Sequence, residues 1–204
     1  MSTARELTIV LVMWALALAW SAVAPADRLT WLLETAPVMV AAPLMLLTTR
    51  SFPLTRVLLW AAFVHGLILI LGGHYTYAEV PLGFWLQDLF DFSRNHYDRI
   101  GHLAQGFVPA LLTREILRRA KTPVDGKLLI ILSISVPLAF SALYEIIEWL
   151  AALSLGQGAD AFLGTQGDEW DTQTDMFMAL IGAIAALVTL SKLQDRQLER
   201  GGKA

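Results

Sequence analysis

The chain contains 204 residues, of which 56% are hydrophobic and 16% are charged. A soluble domain of this size carries about 25% charged residues, so the composition indicates an integral membrane protein and excludes a separate soluble domain. The net charge of −3 indicates no partner by itself, and the lack of cysteine excludes disulfides and thiolate chemistry. Any protein ligands for a metal are therefore His, Asp and Glu.

Three apolar segments of membrane-spanning length occupy the first part of the chain. They cover residues 7–24, 29–47 and 54–73. The first segment resembles a secretory signal, because Arg5 precedes it and Ala22-Val23-Ala24 ends it. Pro25 would directly follow the cleavage point, where signal peptidases generally reject proline, so we predict a retained helix.

A short aromatic segment then separates these spans from three more. Residues 82–92 are amphipathic and predict a helix at the membrane interface, where the stretch around Trp85 would form a lipid entrance. The later spans cover residues 98–117, 128–150 and 171–190, and the last follows a polar loop with Gly156, Gly158, Gly164 and Gly167. We predict an all-α polytopic transmembrane bundle of about six helices plus this interfacial helix. Residues 1–191 would form its single domain and residues 192–204 a charged cytoplasmic tail.

Lysine and arginine are distributed unequally between the two sides of these spans. If the amino terminus lies inside, all of the 15 basic residues except Arg28, Arg94 and Arg99 fall on the inner side. This bias predicts that both termini are cytoplasmic. Acids show the opposite distribution, since 13 of the 18 fall outside. We interpret the basic cluster from Arg114 to Lys121 as an inner-face anchor, and no sequence feature supports nucleic-acid binding.

Acids and a single histidine recur at helical spacing in the outer parts of the last three spans. Residues three or four apart share one face of a helix. Ionisable groups in membrane segments usually face a protein interior or an aqueous cavity and are functional candidates. We therefore expect the side chains to share one pocket near the outer surface and to be catalytic. The six candidates are Asp98, His102, Glu145, Glu148, Asp171 and Asp175.

Two chemistries fit this set of side chains. The carboxylates and imidazole could hold a divalent metal ion, with His102, Glu148 and Asp175 as candidate ligands. A bound cation would offset the repulsion among the carboxylates, which raise one another's pKa when no cation is near. Alternatively, His102 could act as general base or nucleophile, oriented by a carboxylate. A polar seam that only joins helices is the structural alternative, but several acids with one histidine favour a functional site.

Four other polar residues carry weaker expectations. His65 lies in the middle of a span and is interpreted as a hydrogen-bonded packing residue, and Glu34 as a solvated residue near the outer surface. His74 and Tyr75, at the outer end of the third span, either join the site or do not.

Three motifs together resemble the bacterial inner-membrane YjdF family. They are Tyr97-Asp98-Arg99-Ile100-Gly101-His102-Leu103, Tyr144-Glu145-Ile146-Ile147-Glu148-Trp149, and Asp171-Thr172-Gln173-Thr174-Asp175 with Gly182. The resemblance covers the chain from about the second span onward. It implies a multi-pass protein of the bacterial inner membrane, and the family brings no settled activity.

A more remote likeness is to VanZ-like membrane proteins, which are linked to glycopeptide resistance. Their motifs are Asp-x-x-x-His, Glu-x-x-Gln and Asp-x-x-x-Asn-x-x-Gly on three successive helices. The matching residues here are Asp98, His102, Glu145, Asp175 and Gly182, whereas Glu148 and Ala179 replace Gln and Asn. An arginine that often precedes the last motif is missing, and Glu169 stands near its position. These departures make the site more acidic and favour a cation, while the likeness implies lipid head-group chemistry.

We therefore predict a membrane-embedded enzyme that hydrolyses or exchanges the head group of a phospholipid or of a lipid-linked phosphate or sugar at the outer leaflet. Its partners would be membrane lipids, and the sequence identifies no protein partner. No cofactor is indicated beyond the candidate divalent metal ion. An ion- or proton-coupled transporter and a non-enzymatic resistance or assembly factor are the alternatives.

Overall fold

The computed structural model describes Ser2 and residues 4–155 and 166–201, so Gly156, Gly158 and Gly164 of the predicted loop lie outside the described residues. Within these ranges the chain forms only helices. They are α1 (Ala4–Ser21), α2 (Arg28–Thr48), α3 (Arg56–Tyr75), α4 (Pro81–Phe90), α5 (Tyr97–Arg118), α6 (Gly126–Leu155) and α7 (Asp171–Gly201), with a 3-10 turn at Tyr77–Glu79. The predicted all-α polytopic bundle is confirmed.

Five of the described helices are long and apolar enough to cross a membrane, namely α1, α2, α3, α6 and α7. The predicted fourth span, α5, is not among them because its sequence is rich in polar side chains. With 22 residues it is about 33 Å long at 1.5 Å per residue, which matches a hydrocarbon core of about 30 Å. The other helices shield its polar residues, because α5 packs against α3, α6 and α7.

Two glycines bring α5 and α7 into backbone contact. A Cβ atom added at Gly106 would collide with the backbone of Ala179, and one added at Gly182 would collide with the backbone of Leu103. Small residues permit this kind of close crossing between membrane helices. The crossing lies about one helical turn from His102 and Asp175, so it determines how closely the polar ends of α5 and α7 meet.

The first three helices form an apolar unit of their own. Its buried core consists of Leu7, Val10, Trp14, Val38, Leu59 and Ile70. The Trp14 indole lies against Gly66 and donates a hydrogen bond from Nε1 to the Phe63 carbonyl at 3.1 Å. Because α3 also packs on α5, this unit places the polar residues of α2 and α3 beside the polar end of α5.

The predicted short aromatic helix is present as α4. It begins with Pro81, where a missing backbone N–H is harmless, and ends at Phe90, which is followed by Asp91 in a left-handed backbone conformation with φ 54°. Asn95 ties the start of α4 to α5, because its Nδ2 donates to the Val80 carbonyl at 3.0 Å and its Oδ1 accepts from the Tyr97 N–H at 3.0 Å. The position of α4 at a membrane interface stays a prediction.

Helix α7 continues through the segment that was predicted to be a charged tail. Gln194 is fully buried and donates from Nε2 to the Leu111 carbonyl at 2.9 Å and to Glu115 Oε2 at 3.1 Å. Arg114 forms an ion pair with Asp195 at 2.7 Å. These contacts join the inner ends of α5 and α7, so part of the basic cluster that was interpreted as an anchor faces the protein. The predicted domain boundary at residue 191 stays a prediction.

Candidate functional site

His102 lies at the centre of a buried group of carboxylates. Its Nε2 atom is 3.5 Å from Asp98 Oδ1, 3.7 Å from Glu145 Oε1 and 3.9 Å from Asp175 Oδ1. The His102 side chain is only 8% exposed. Asp98 and His102 share one face of α5, as the i, i+4 spacing indicated, and α6 and α7 supply the other two acids. The structure thus brings four of the six predicted residues together, and their catalytic role stays a prediction.

Two arginines neutralise the acids at the start of α7. Arg94 Nη2 lies 2.6 Å from Asp171 Oδ1, and Arg99 Nη2 lies 2.8 Å from the same oxygen and 3.1 Å from Asp168 Oδ2. Arg99 also pairs directly with Asp175. Asp171 therefore lies in this ion-pair group and lacks a close contact with His102. The repulsion that favoured a metal ion in the sequence argument is relieved to a large extent by these guanidinium groups.

The ion-pair group extends into the segments that flank α5 and α7. The Trp170 N–H donates to Asp168 Oδ1 at 2.9 Å and lowers the pKa of that carboxyl group, with further lowering from Arg94 and Arg99. Burial lowers the pKa of His96, and the same two arginines lower it further. Asp168 is therefore ionised and His96 uncharged at neutral pH, so Arg94 and Arg99 supply the positive charges that pair with the acids of this group.

A cavity of about 420 Å³ lies beside His102, between α2, α3, α5 and α6. Its polar lining consists of Glu34, His65, Tyr77, Asp98, His102, Gln105, Tyr144 and Glu148. Glu148 thus belongs to the cavity wall, whereas Glu145 contacts the His102 group. Val40 and Phe140 also line the cavity and are more than half exposed, so the cavity opens toward the membrane between α2 and α6.

The structure corrects two interpretations of single residues. Glu34 was expected to be solvated, but it is 8% exposed and lines the cavity. His65 was expected to be a hydrogen-bonded packing residue, but it lines the same cavity, and its buried Nε2 has no hydrogen-bond partner among the described residues. Both are ionisable residues within a span, and the general rule that such residues mark functional sites was the signal for them.

His74 and Tyr75 lie outside the site. His74 Nδ1 is 2.9 Å from the Ser21 carbonyl oxygen, and its ring packs against Trp20 with a centroid separation of 4.5 Å. Tyr75 packs on His74 at 4.6 Å. These residues attach the end of α3 to α1, so the question that the sequence left open is answered in favour of packing.

Three residues of the site, Arg94, Arg99 and Tyr77, are not among the six candidates that were predicted from the sequence, although Arg99 is one of the few basic groups near them. The Tyr77 ring occupies the space left by two glycines, since a Cβ atom at Gly72 or Gly101 would lie within 2.8 Å of it. The arginines carried a signal, because they are two of the few basic residues on the acidic outer side. Tyr77 carried none, because its contacts depend on the packing of α3 on α5.

The best-placed metal ligands differ from those predicted. Asp98, His102 and Asp175 offer ligand atoms that lie within 4.8 Å of one another, whereas Glu148 is not part of that group. Two features oppose a metal ion there. Arg99 already pairs with Asp175, and His102 Nδ1 has no hydrogen-bond partner among the described residues, although metal-bound histidines almost always donate their second N–H.

Comparison with known proteins confirms the family resemblance that the sequence indicated. Residues 6–196 match the family described as "Predicted membrane protein (DUF2238)". The inner membrane protein YjdF of Escherichia coli (strain K12) is 48% identical over 201 residues, which cover 98% of this chain and 93% of that protein. No solved structure matches the chain, and the likeness to VanZ-like proteins stays a prediction. The chain therefore belongs to the DUF2238 family of predicted membrane proteins and, as the resemblance to YjdF predicted, is a multi-pass protein of the inner membrane.

Proposed function

We propose that this protein is a membrane-embedded enzyme that hydrolyses or exchanges the head group of a phospholipid or of a lipid-linked phosphate or sugar at the outer leaflet. The observation that carries the proposal is the placement of His102. This buried imidazole is in contact with three carboxylates and also forms part of the wall of a cavity that opens toward the membrane.

The environment of His102 suits a general base. A carboxylate beside one ring nitrogen selects the tautomer that carries its proton there, which leaves the other nitrogen basic. Nε2 faces the carboxylates of Asp98, Glu145 and Asp175, and Nδ1 has no hydrogen-bond partner among the described residues. The imidazole of His102, which forms part of the cavity wall, would accept a proton from water or an alcohol. The oxygen so activated would attack the head-group phosphorus, the ester bond to the head group would break, and His102 would return the proton to the leaving oxygen.

The cavity has a suitable size and opening for a lipid head group. Pockets for small molecules usually enclose about 300–1,000 Å³, and this one encloses about 420 Å³. The exposed side chains of Val40 and Phe140 mark an opening toward hydrocarbon between α2 and α6. Helix α4 supplies no described residue to the lining, so this opening, in place of the stretch around Trp85, is the proposed lipid entrance.

A proton- or ion-coupled transporter is the second candidate. It is favoured by His65, which lies halfway along α3. This position extends the ionisable residues of the cavity wall toward the middle of the bundle. The inner end of α5 argues against it. There, Glu115 accepts hydrogen bonds from the Thr55 hydroxyl at 2.6 Å and from Gln194 at 3.1 Å, which indicates a structural lock. The transporter therefore ranks below the enzyme.

The test is release of labelled head groups from membrane lipids by the full chain purified in detergent. Wild type and Glu199→Gln, a change at an exposed residue of α7, are expected to release head groups. His102→Ala is expected to lower the rate by about 10²–10⁴-fold, the usual contribution of a general base. Unchanged release by His102→Ala would overturn the proposal. Absence of release by wild type, together with ion flux into liposomes, would favour the transporter.

A metal requirement is tested in the same assay. If His102 acts as a general base without a metal ion, dialysis against a chelator is expected to leave release unchanged. Loss of activity on dialysis and its recovery with one divalent cation would instead support a metal site, for which Asp98, His102 and Asp175 are the best-placed ligands.

A further inference from the structure

We propose that the cavity beside His102 binds a primary organic ammonium group, as in a phospholipid whose head group ends in an amine. This inference rests on the proposed function, because it names the substrate class of the same site. Its evidence is separate, since it concerns what the cavity wall attracts and not what His102 does chemically.

The charges of the cavity wall favour a cation. Three acids from three helices line the cavity, namely Glu34 of α2, Asp98 of α5 and Glu148 of α6, and no lysine or arginine lines it within the part of the chain that the structure describes. The guanidinium group of Arg99 is engaged with Asp168, Asp171 and Asp175. Carboxylates gathered in a medium of low dielectric repel one another and attract a positive ligand strongly. A phosphate group alone would be repelled by this wall.

The aromatic lining favours an organic cation over a metal ion. Tyr77, Phe140 and Tyr144 line the same cavity, and aromatic rings attract ammonium groups through their electron-rich faces. The volume of about 420 Å³ is that of a small-molecule pocket. Glu148 lies outside the one group of described residues whose ligand atoms are close enough to share a metal ion.

The acids of the cavity wall supply acceptors for a ligand that donates hydrogen bonds, and two buried ring nitrogens beside them lack partners among the described residues. The His102 side chain is more than nine-tenths buried and forms part of the cavity wall, and its Nδ1 atom has no hydrogen-bond partner among the described residues. The buried Nε2 atom of His65, in the same wall, also has no hydrogen-bond partner among the described residues. A primary ammonium group has three N–H donors, whereas a quaternary ammonium group has none. The cavity is therefore expected to prefer an ethanolamine-type amine to a choline-type amine.

Binding is tested with the purified full chain in a nonionic detergent, by the shift in thermal unfolding that each ligand causes. The probes are phosphatidylethanolamine, phosphatidylcholine and phosphatidylglycerol with identical short acyl chains, and free ethanolamine. Phosphatidylethanolamine is expected to bind at least about tenfold more tightly than phosphatidylglycerol, the factor that corresponds to one modest charge interaction, and also more tightly than phosphatidylcholine. Saturation by free ethanolamine at similar concentrations would identify a free amine as the ligand, and its failure to compete would identify the lipid.

Variants connect this binding to the cavity. Glu34→Gln and Glu148→Gln are each expected to weaken phosphatidylethanolamine binding by about tenfold or more. Glu79→Gln, which neutralises an exposed acid on the same outer side, is expected to leave it unchanged. Two variants are used so that one remains informative if the other fails to fold. Equal or tighter binding of phosphatidylglycerol, or unchanged binding in the folded cavity variants, would overturn the inference.

The two proposals fail separately. Phosphatidylethanolamine binding without head-group release would refute the enzyme and support the ammonium site. Release from phosphatidylglycerol at an equal or higher rate, without preferential binding of the amine lipid, would refute the ammonium site and support the enzyme.

Discussion

Replacing Gly106 by alanine is expected to destabilise the protein, although alanine normally stabilises a helix relative to glycine. A Cβ atom at position 106 would lie 2.6 Å from the carbonyl carbon of Ala179 and 2.7 Å from its Cα atom. Carbon atoms in favourable contact are about 3.5–4.0 Å apart, so α5 and α7 must separate by about 1 Å. Both Ala179 atoms are backbone atoms of α7, so neither can rotate away.

The size of the effect follows from two opposing contributions. Overpacking costs about 1–3 kcal/mol, and the change from glycine to alanine within a helix contributes about 0.5–1 kcal/mol in the other direction. The midpoints of these two ranges give an expected net loss of about 1 kcal/mol in the free energy of unfolding. For a chain of this length that loss corresponds to a fall of about 2–4 °C in the melting temperature. Separation of the helices also moves Asp175 relative to His102, and a displacement of about 1 Å lowers enzymatic rates by about 10²-fold.

The assay is thermal unfolding in detergent, followed by the fluorescence of the 7 tryptophans. Val188→Leu is the control, because it adds one carbon atom to α7 at a side chain that is 78% exposed, and it is expected to melt like the wild type. If Gly106→Ala melts at or above the wild-type temperature, the intrinsic preference for alanine has prevailed. The inference that α5 and α7 cross in close backbone contact at Gly106 would then be refuted.

Three further predictions concern buried charges and pH. Glu115→Ala is expected to lower the free energy of unfolding by about 3–5 kcal/mol, because it leaves buried partners unpaired, whereas the exposed control Glu199→Ala should change it little; equal melting temperatures would contradict this. Arg99→Lys is expected to lower the free energy of unfolding by about 1.5–3 kcal/mol through loss of charged hydrogen bonds. A melting curve identical to that of the wild type would show that the ion pair with Asp175 does not contribute to stability. Because folding lowers the pKa of Asp168, the ionised carboxylate contributes stability above about pH 4, and this contribution is lost as the pH falls through the lower pKa of the folded state. The melting temperatures of wild type and Asp168→Asn should therefore differ at pH 7 and converge in acid. A difference in melting temperature that persists in acid would refute the assignment.

Local features of the sequence were sufficient to predict the helices and the spacing of the reactive groups. The apolar runs determined the positions of α1, α2, α3, α6 and α7, because burial in hydrocarbon depends on composition over about 20 residues. The pairing of Asp98 with His102 followed from the helical period alone. Helix α5 was also predicted, although it is too polar to qualify by hydropathy, because its acids and histidine recur at helical spacing.

The tertiary structure decided which of these groups meet. Glu34 and His65 enter the site because α3 packs on α5 and α2 packs on α3, and Arg99 is directed to Asp175 because α5 and α7 cross closely. The helical period shows which residues share a face of one helix, but it does not specify the helix that this face contacts or the rotation of that neighbour. Those depend on steric contacts between residues far apart in the chain, such as Gly106 with Ala179, and only the folded arrangement of all the helices determines them.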